Sequence, residues 1–260
     1  VTQTGTGGSA TYSIGATSGK VRSATFTSTG GTTPVGFSVS STPAASGLVM
    51  NSSTGVLSTD VTTPAGTYNL TVAVTDSAKA VSSLTVVLTV NPAIEVNGAT
   101  TLAASTGIVY NSVAYTASGG TGNKSFSLGG QPSGVTIGST SGIINVPISI
   151  NAGTYNFNVV STDTNGATGT LAITLNVSAP IAVTGDATLV TTTGVAKATT
   201  PYGATGGSGT LTYSATGTSA AITFDPATKI ISVATTATAG TYNLSITVTD
   251  SNGATGTKAL

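Results

Sequence analysis

Few side chains in this sequence could do chemistry. Among 260 residues there are seven carboxylates and seven Lys or Arg, with no His and no Cys. The commonest general base and the thiol nucleophile are therefore absent. Catalysis would fall to Asp60, Asp76, Glu95, Asp163, Asp186, Asp225 and Asp250. Glycoside hydrolysis needs two carboxyl groups roughly 5–10 Å apart, and the sequence offers no local pair. No enzymatic activity and no cofactor are expected. Asp163-Thr-Asn165 and Asp250-Ser-Asn252 share the alternating oxygen spacing of calcium loops, but calcium takes about six to eight oxygens, several of them charged. Each segment supplies one acid, and Ala78 stands where the second oxygen would be in the first copy. These segments read as Asp-initiated turns, and no metal site is assigned. Carbohydrate recognition would need exposed aromatic platforms. Trp is absent, and Tyr110 and Tyr202 are the two tyrosines that alternation does not place inside. Sequons at Asn51, Asn69, Asn123, Asn176 and Asn243 are about as frequent as chance predicts.

The elements that must carry these residues recur. Ala-Gly-Thr-Tyr-Asn occurs at residues 65–69, 152–156 and 239–243. Tyr68, Tyr155 and Tyr242 are 87 residues apart, and so are Asp76, Asp163 and Asp250. Two identical intervals of that length identify tandem domains, each long enough to fold alone. After each tyrosine, apolar and polar residues alternate. Tyr242, Leu244, Ile246 and Val248 face one way, and Asn243, Ser245, Thr247 and Thr249 the other, as in a half-buried antiparallel strand. Asp-Thr-Asn-Gly166 and Asp-Ser-Asn-Gly253 supply hairpin chemistry, and the return strand carries Leu171, Ile173, Leu175 and Val177. Upstream, each copy shows strand, tight turn and strand. A further strand pair is expected around Gly30-Gly31, Gly119-Gly120 and Gly206-Gly207. About seven short strands per copy indicate a β-sandwich.

The expected fold is therefore all-β: three tandem antiparallel β-sandwiches over residues 1–91, 92–179 and 180–260, the last strand of the third being incomplete. Pro92 and Pro180 sit in joints of two or three residues and stiffen them, so a semi-rigid rod is expected. Charged residues are 5% of the chain and the formal net charge is zero, which gives no electrostatic reason to bind nucleic acid or anionic lipid. No apolar window reaches the length of a membrane span. A Ser/Thr/Gly-rich array that avoids charge suits an extracellular or cell-surface location, with glycans left open as partners.

Pro132-Ser-Gly-Val-Thr-Ile, Ser141-Gly-Ile-Ile, Ala152-Gly-Thr-Tyr and Thr162-Asp-Thr-Asn-Gly-Ala167 together resemble the bacterial family named putative Ig domain, related to cadherin-like and dystroglycan-type modules. The resemblance extends over most of each repeat. It implies Ig-like sandwiches strung along secreted or surface proteins as stalks, adhesins, filaments and spacers. The tyrosine opening the penultimate strand fits a tyrosine corner, whose hydroxyl bonds back to the chain, so Tyr68, Tyr155 and Tyr242 are expected as core anchors.

The ends differ from the interior joints. Lys258 aligns with Leu171 and Leu260 with Ile173, so the third copy stops about halfway along its last strand. Placing Val1 after Leu260 of another copy spaces the tyrosines 86 apart, against 87 inside. Three readings stay open: strand addition between copies, one period of a longer covalent array, or simple disorder of the ends. The first two make Val1, Thr2, Gln3 and Thr4, with Lys258, Ala259 and Leu260, an assembly junction between head-to-tail copies. The expected function is structural, in an extracellular filament, stalk or surface layer. The alternative is an adhesin stalk or a carbohydrate-binding module.

Overall fold

In the computed structural model, residues 2–4, 12–19 and 21–260 are described. The first repeat holds β1 (Thr2–Thr4), β2 (Tyr12–Thr17), β3 (Arg22–Thr27), β4 (Gly36–Thr42), β5 (Leu48–Met50), β6 (Val56–Thr59), β7 (Gly66–Thr75) and β8 (Val81–Asn91). The second holds β9 (Glu95–Asn97), β10 (Thr101–Ser105), β11 (Tyr110–Asn111), β12 (Thr116–Ser118), β13 (Ser125–Gly129), β14 (Thr136–Ile137), β15 (Ile144–Val146), β16 (Gly153–Thr162) and β17 (Thr168–Ser178). The third holds β18 (Ala182–Thr184), β19 (Lys197–Ala198), β20 (Gly203–Thr205), β21 (Thr212–Thr216), β22 (Ile222–Asp225), β23 (Ile230–Val233), β24 (Ser245–Thr249) and β25 (Thr255–Ala259). No helix occurs among the described residues.

The long hairpin dominates each repeat, β7–β8, β16–β17 or β24–β25, because its alternation is the strictest in the chain. In β16 Phe157, Val159 and Ser161 are buried while Asn156 and Asn158 are exposed. The hairpin lies at the centre of one sheet, ordered β2-β8-β7-β4 in the first repeat and β10-β17-β16-β13 in the second. Its edge strand pairs in parallel with the end of the last strand: Ile14 opposite Leu88, and Leu102 opposite Leu175. The facing layer is β1-β3-β6-β5 in the first repeat, and β11-β15-β14 with β9-β12 in the second. Burying one face of each layer yields three separate cores. Leu70, Val72 and Leu88 belong to the first, Ile144, Val159 and Leu175 to the second, and Tyr202, Ile231 and Ile246 to the third.

One expectation changes. The strands flanking Gly119-Gly120 are not a hairpin pair, because β12 joins β9 while β13 joins β16. The double-glycine turn thus carries the chain from one layer to the other. Thr2, Gln3 and Thr4 pair with Thr27, Phe26 and Thr25 of β3. Thr2 faces Thr27 as Asn97 faces Thr116, so β1 occupies the first-strand position of its own sandwich. Thr2 precedes Tyr68 by 66 residues, and Asn97 precedes Tyr155 by 58. The 86-residue spacing therefore reflects a longer first repeat, not a length match between termini. Val1 lies outside the described residues.

Candidate functional site

Two features set particular residues together: the joints between repeats and the open side of the third core. At the first joint, Thr17 at the end of β2 donates its hydroxyl to Asp163 Oδ2 at 2.6 Å. The same oxygen accepts the Thr121 amide at 2.8 Å. Oδ1 accepts the amides of Asn165 and Ala167 at 2.8 and 2.9 Å. The second joint repeats this arrangement. Ser105 at the end of β10 donates to Asp250 Oδ2 at 2.5 Å, and Ser208 N, Asn252 N and Ala254 N fill the same roles. Thr17, Ser105, Asp163 and Asp250 are all buried. Burial raises the pKa of each aspartate, but the hydroxyl and three amides outweigh it and hold both carboxyls below the ordinary value of 3.8. Hydroxyl–carboxylate bonds this short are charge-assisted and stronger than neutral ones.

The linker is seated by the double-glycine turns. Gly120 N donates to Pro92 O at 2.8 Å and Gly207 N to Ala179 O at 2.9 Å. Gly119 has φ 70°, and a Cβ there would stand 2.2 Å from Ala93 O. Only glycine tolerates both that conformation and that approach. The prolines of the joints are therefore accompanied by a buried polar lock. The sequence reading found the turn made by Asp163 and Asp250 but missed its reach into the preceding repeat. The available signal was the recurrence of a hydroxyl residue, Thr17 and then Ser105, at one repeat position.

Four of the other carboxylates are bonded within their own repeats. Asp60 accepts from Thr62, Asp225 from Ala227 and Thr228, Asp186 from Thr200, and Asp76 from Thr32 N and Ala80 N. Among the described residues no group of three or more Asp or Glu could hold a metal ion.

The third repeat differs from the second along one side. Leu244 and Leu260 exchange backbone hydrogen bonds at 3.0 Å, which closes the ladder where Phe157 faces Ile173. Beyond that pair, residues 240–243 and 188–192 form no strand. In the second repeat the corresponding segments are the start of β16 and all of β10, held together by residues 174–178 of β17. In the third, a groove of about 610 Å³ runs between them, lined by Leu189, Val190, Ile231, Tyr242, Leu244 and Leu260. Val190 is 77% exposed.

The tyrosine hydroxyls bond back four residues in every repeat: Tyr68 to Pro64 O at 2.9 Å, Tyr155 to Asn151 O at 3.0 Å and Tyr242 to Thr238 O at 3.0 Å. Their burial decreases along the chain. Tyr68 is 5% exposed, Tyr155 is intermediate and Tyr242 is 38% exposed, because no strand covers Tyr242. Tyr202 is not a surface residue. It is 1% exposed, in the place of Tyr115 and Phe26, and its hydroxyl donates to Asp186 O at 3.0 Å. Tyr110 packs on the second core. Lys258 and Ala259 lie in β25, opposite Ile246 and Ser245.

The model of the family described as "Putative Ig domain" matches residues 92–178. The middle repeat is thus similar to this family over its whole length. Its boundaries run from the joint proline to the end of β17, and the other two repeats carry the same motifs. Among solved structures, the chain is similar to Drosophila OTK extracellular domains 3–5, at 13% identity over 95% of this chain and 92% of that one, with a TM-score of 0.37. It is also similar to Drosophila N-cadherin EC1-4, at 13% identity over 95% and 71%, TM-score 0.33. Sidekick-1 immunoglobulin domains 1–5 match at 11% identity over 95% and 57%, TM-score 0.32. No curated protein matches the chain. No helix is long and apolar enough to cross a membrane among the described residues.

Proposed function

We propose that this chain is a structural segment of an extracellular filament, stalk or surface layer, built from Ig-like sandwiches that succeed one another in a semi-rigid line. Residues 1–91, 92–179 and 180–260 are its three units, and it works without catalysis or cofactor. The observation that carries this reading is the groove of the third repeat. Its rims are the segments that β17 unites in the second repeat, and its floor is apolar, so an extended strand with alternating apolar residues fits it. Strand addition of this kind combines backbone hydrogen bonds for affinity with side-chain pockets for register. The strand comes from another copy or from one period of a longer covalent array. In the first case Val1, Thr2, Gln3 and Thr4 are one source, and donation then requires β1 to leave its pairing with β3. Head-to-tail contacts of this kind do not close on themselves.

Electron microscopy of the purified chain is the direct test. Uniform fibres with a three-domain repeat support assembly between copies, and monodisperse monomers at all concentrations count against it. The carbohydrate-binding alternative is weakened by the burial of Tyr202, which leaves Tyr242 as the exposed aromatic among the residues whose side chains are described. Pull-down on polysaccharides tests it.

A further inference from the structure

The two joints share more than an aspartate. Residues 163–169 read Asp-Thr-Asn-Gly-Ala-Thr-Gly and residues 250–256 read Asp-Ser-Asn-Gly-Ala-Thr-Gly. Three of these positions act across the joint. The aspartate takes the hydroxyl of the preceding repeat. Asn252 Nδ2 donates to Ser105 Oγ at 3.0 Å and to Ala103 O at 3.2 Å. The final glycine admits the linker, since a Cβ on Gly169 or Gly256 would stand 2.4 Å from Ile94 O or Ile181 O. The first repeat has Asp76-Ser-Ala-Lys-Ala-Val-Ser82 at the same positions. Ala78 has no amide side chain to donate, and Ser82 carries the Cβ that those glycines omit. Asp76 remains half-exposed, and its partners are amides of its own repeat.

At the other end of the chain, Thr192 holds the repeat position of Thr17 and Ser105 and lies on the rim of the groove. We propose that the groove-bearing pole of the third repeat docks a further Ig-like repeat that carries the Asp-Ser/Thr-Asn-Gly-Ala-Thr-Gly hairpin, and not the first repeat of a second copy. This rests on the in-line reading above and names the partner. A strand seated in the groove orders residues 188–192 as β10 is ordered. Thr192 then donates to the hairpin aspartate of the incoming repeat, whose asparagine reaches back to the Thr192 hydroxyl. The first repeat of another copy brings the aspartate but not the asparagine, and its serine meets the linker carbonyl.

Two extensions of the full chain test this. One adds residues 174–260, which supply the strand, the linker and a second copy of the third repeat. The other adds residues 174–182 followed by residues 1–91. Single-particle angular distributions, with thermal melts to confirm folding, report the spread at the new joint. The first extension should match the spread of the two interior joints, and Asp250→Ala in its added repeat should widen it. The second extension should bend over a clearly wider range. Equal stiffness of the two extensions, a loose joint in the first, or no response to Asp250→Ala overturns the proposal. Uniform fibres of the unextended chain would place a first repeat on the groove-bearing pole, which supports the in-line reading and overturns this proposal, so the two can fail separately.

Discussion

The second and third repeats share their hairpin motif and the position of their core tyrosine, but one sandwich is closed on the side where the other is open. In the second, Leu175 is fully buried between Leu102 of β10 and Tyr155 of β16. In the third, Leu189 and Tyr242 line a groove, and neither rim forms a strand. The lesson is that alternation alone does not make these strands. Residues 240–244 repeat residues 153–157 with one change, Leu244 for Phe157, yet they pair only where a neighbour supplies backbone partners. Strand formation here depends on tertiary context more than on local propensity.

The largest expected effect comes from opening the closed sandwich. Leu175→Ala removes the side chain that joins the two rims of the second core and should cost about 2–5 kcal/mol, read by urea unfolding. A loss below about 1 kcal/mol, the size of a mild core change, would mean that the rims do not depend on it. The reverse experiment fills the open sandwich. A peptide of residues 174–180 should protect the amides of residues 188–192 and 240–244 from hydrogen exchange while leaving the second repeat unchanged. At a hundredfold excess over its Kd, binding stabilises the third repeat by about 2.7 kcal/mol. Protection spread over all three repeats would show that the groove is not the site.

The joints give a smaller change. Asp163→Ala removes a buried charged acceptor and should cost about 1.5–3 kcal/mol of coupling between the first two repeats, seen as separation of their unfolding transitions. The pH dependence has a definite sign. Both joint carboxyls are held below 3.8, so their contribution is complete above that value and is lost as pH falls through the lower folded one. Acid should therefore loosen the joints before it opens cores that contain no carboxylate, and Asp163→Asn should abolish this dependence at the first joint. Smallest is the corner hydroxyl. Tyr68→Phe should cost about 0.5–1.5 kcal/mol, whereas Tyr242→Phe, at an exposed site, should cost less. Equal losses would break the contrast between covered and uncovered corners.

Much of this was legible in the sequence because it is local. The 87-residue interval, the alternation through Tyr242 and Val248, and the Asp-Asn-Gly turns each declare themselves within a short window. What stayed hidden depends on contacts distant in sequence. Thr17 and Asp163 are separated by 146 residues, and no composition or period links a hydroxyl to that carboxylate. Alternation did not place Tyr202 inside because it lies just before β20 and in no strand of its own. The first strand at Thr2–Thr4 was obscured by its polarity, and pairing with β3 revealed its place.

The parallel pairing of β2 with β8 and of β10 with β17 has a mechanical consequence. A chain pulled from both ends applies tension to these strands in opposite directions along their length. Their backbone hydrogen bonds, which run between the strands, then share the load and must rupture together rather than unzip one at a time. Single-molecule stretching would then record each clamped repeat as one strong, abrupt unfolding event.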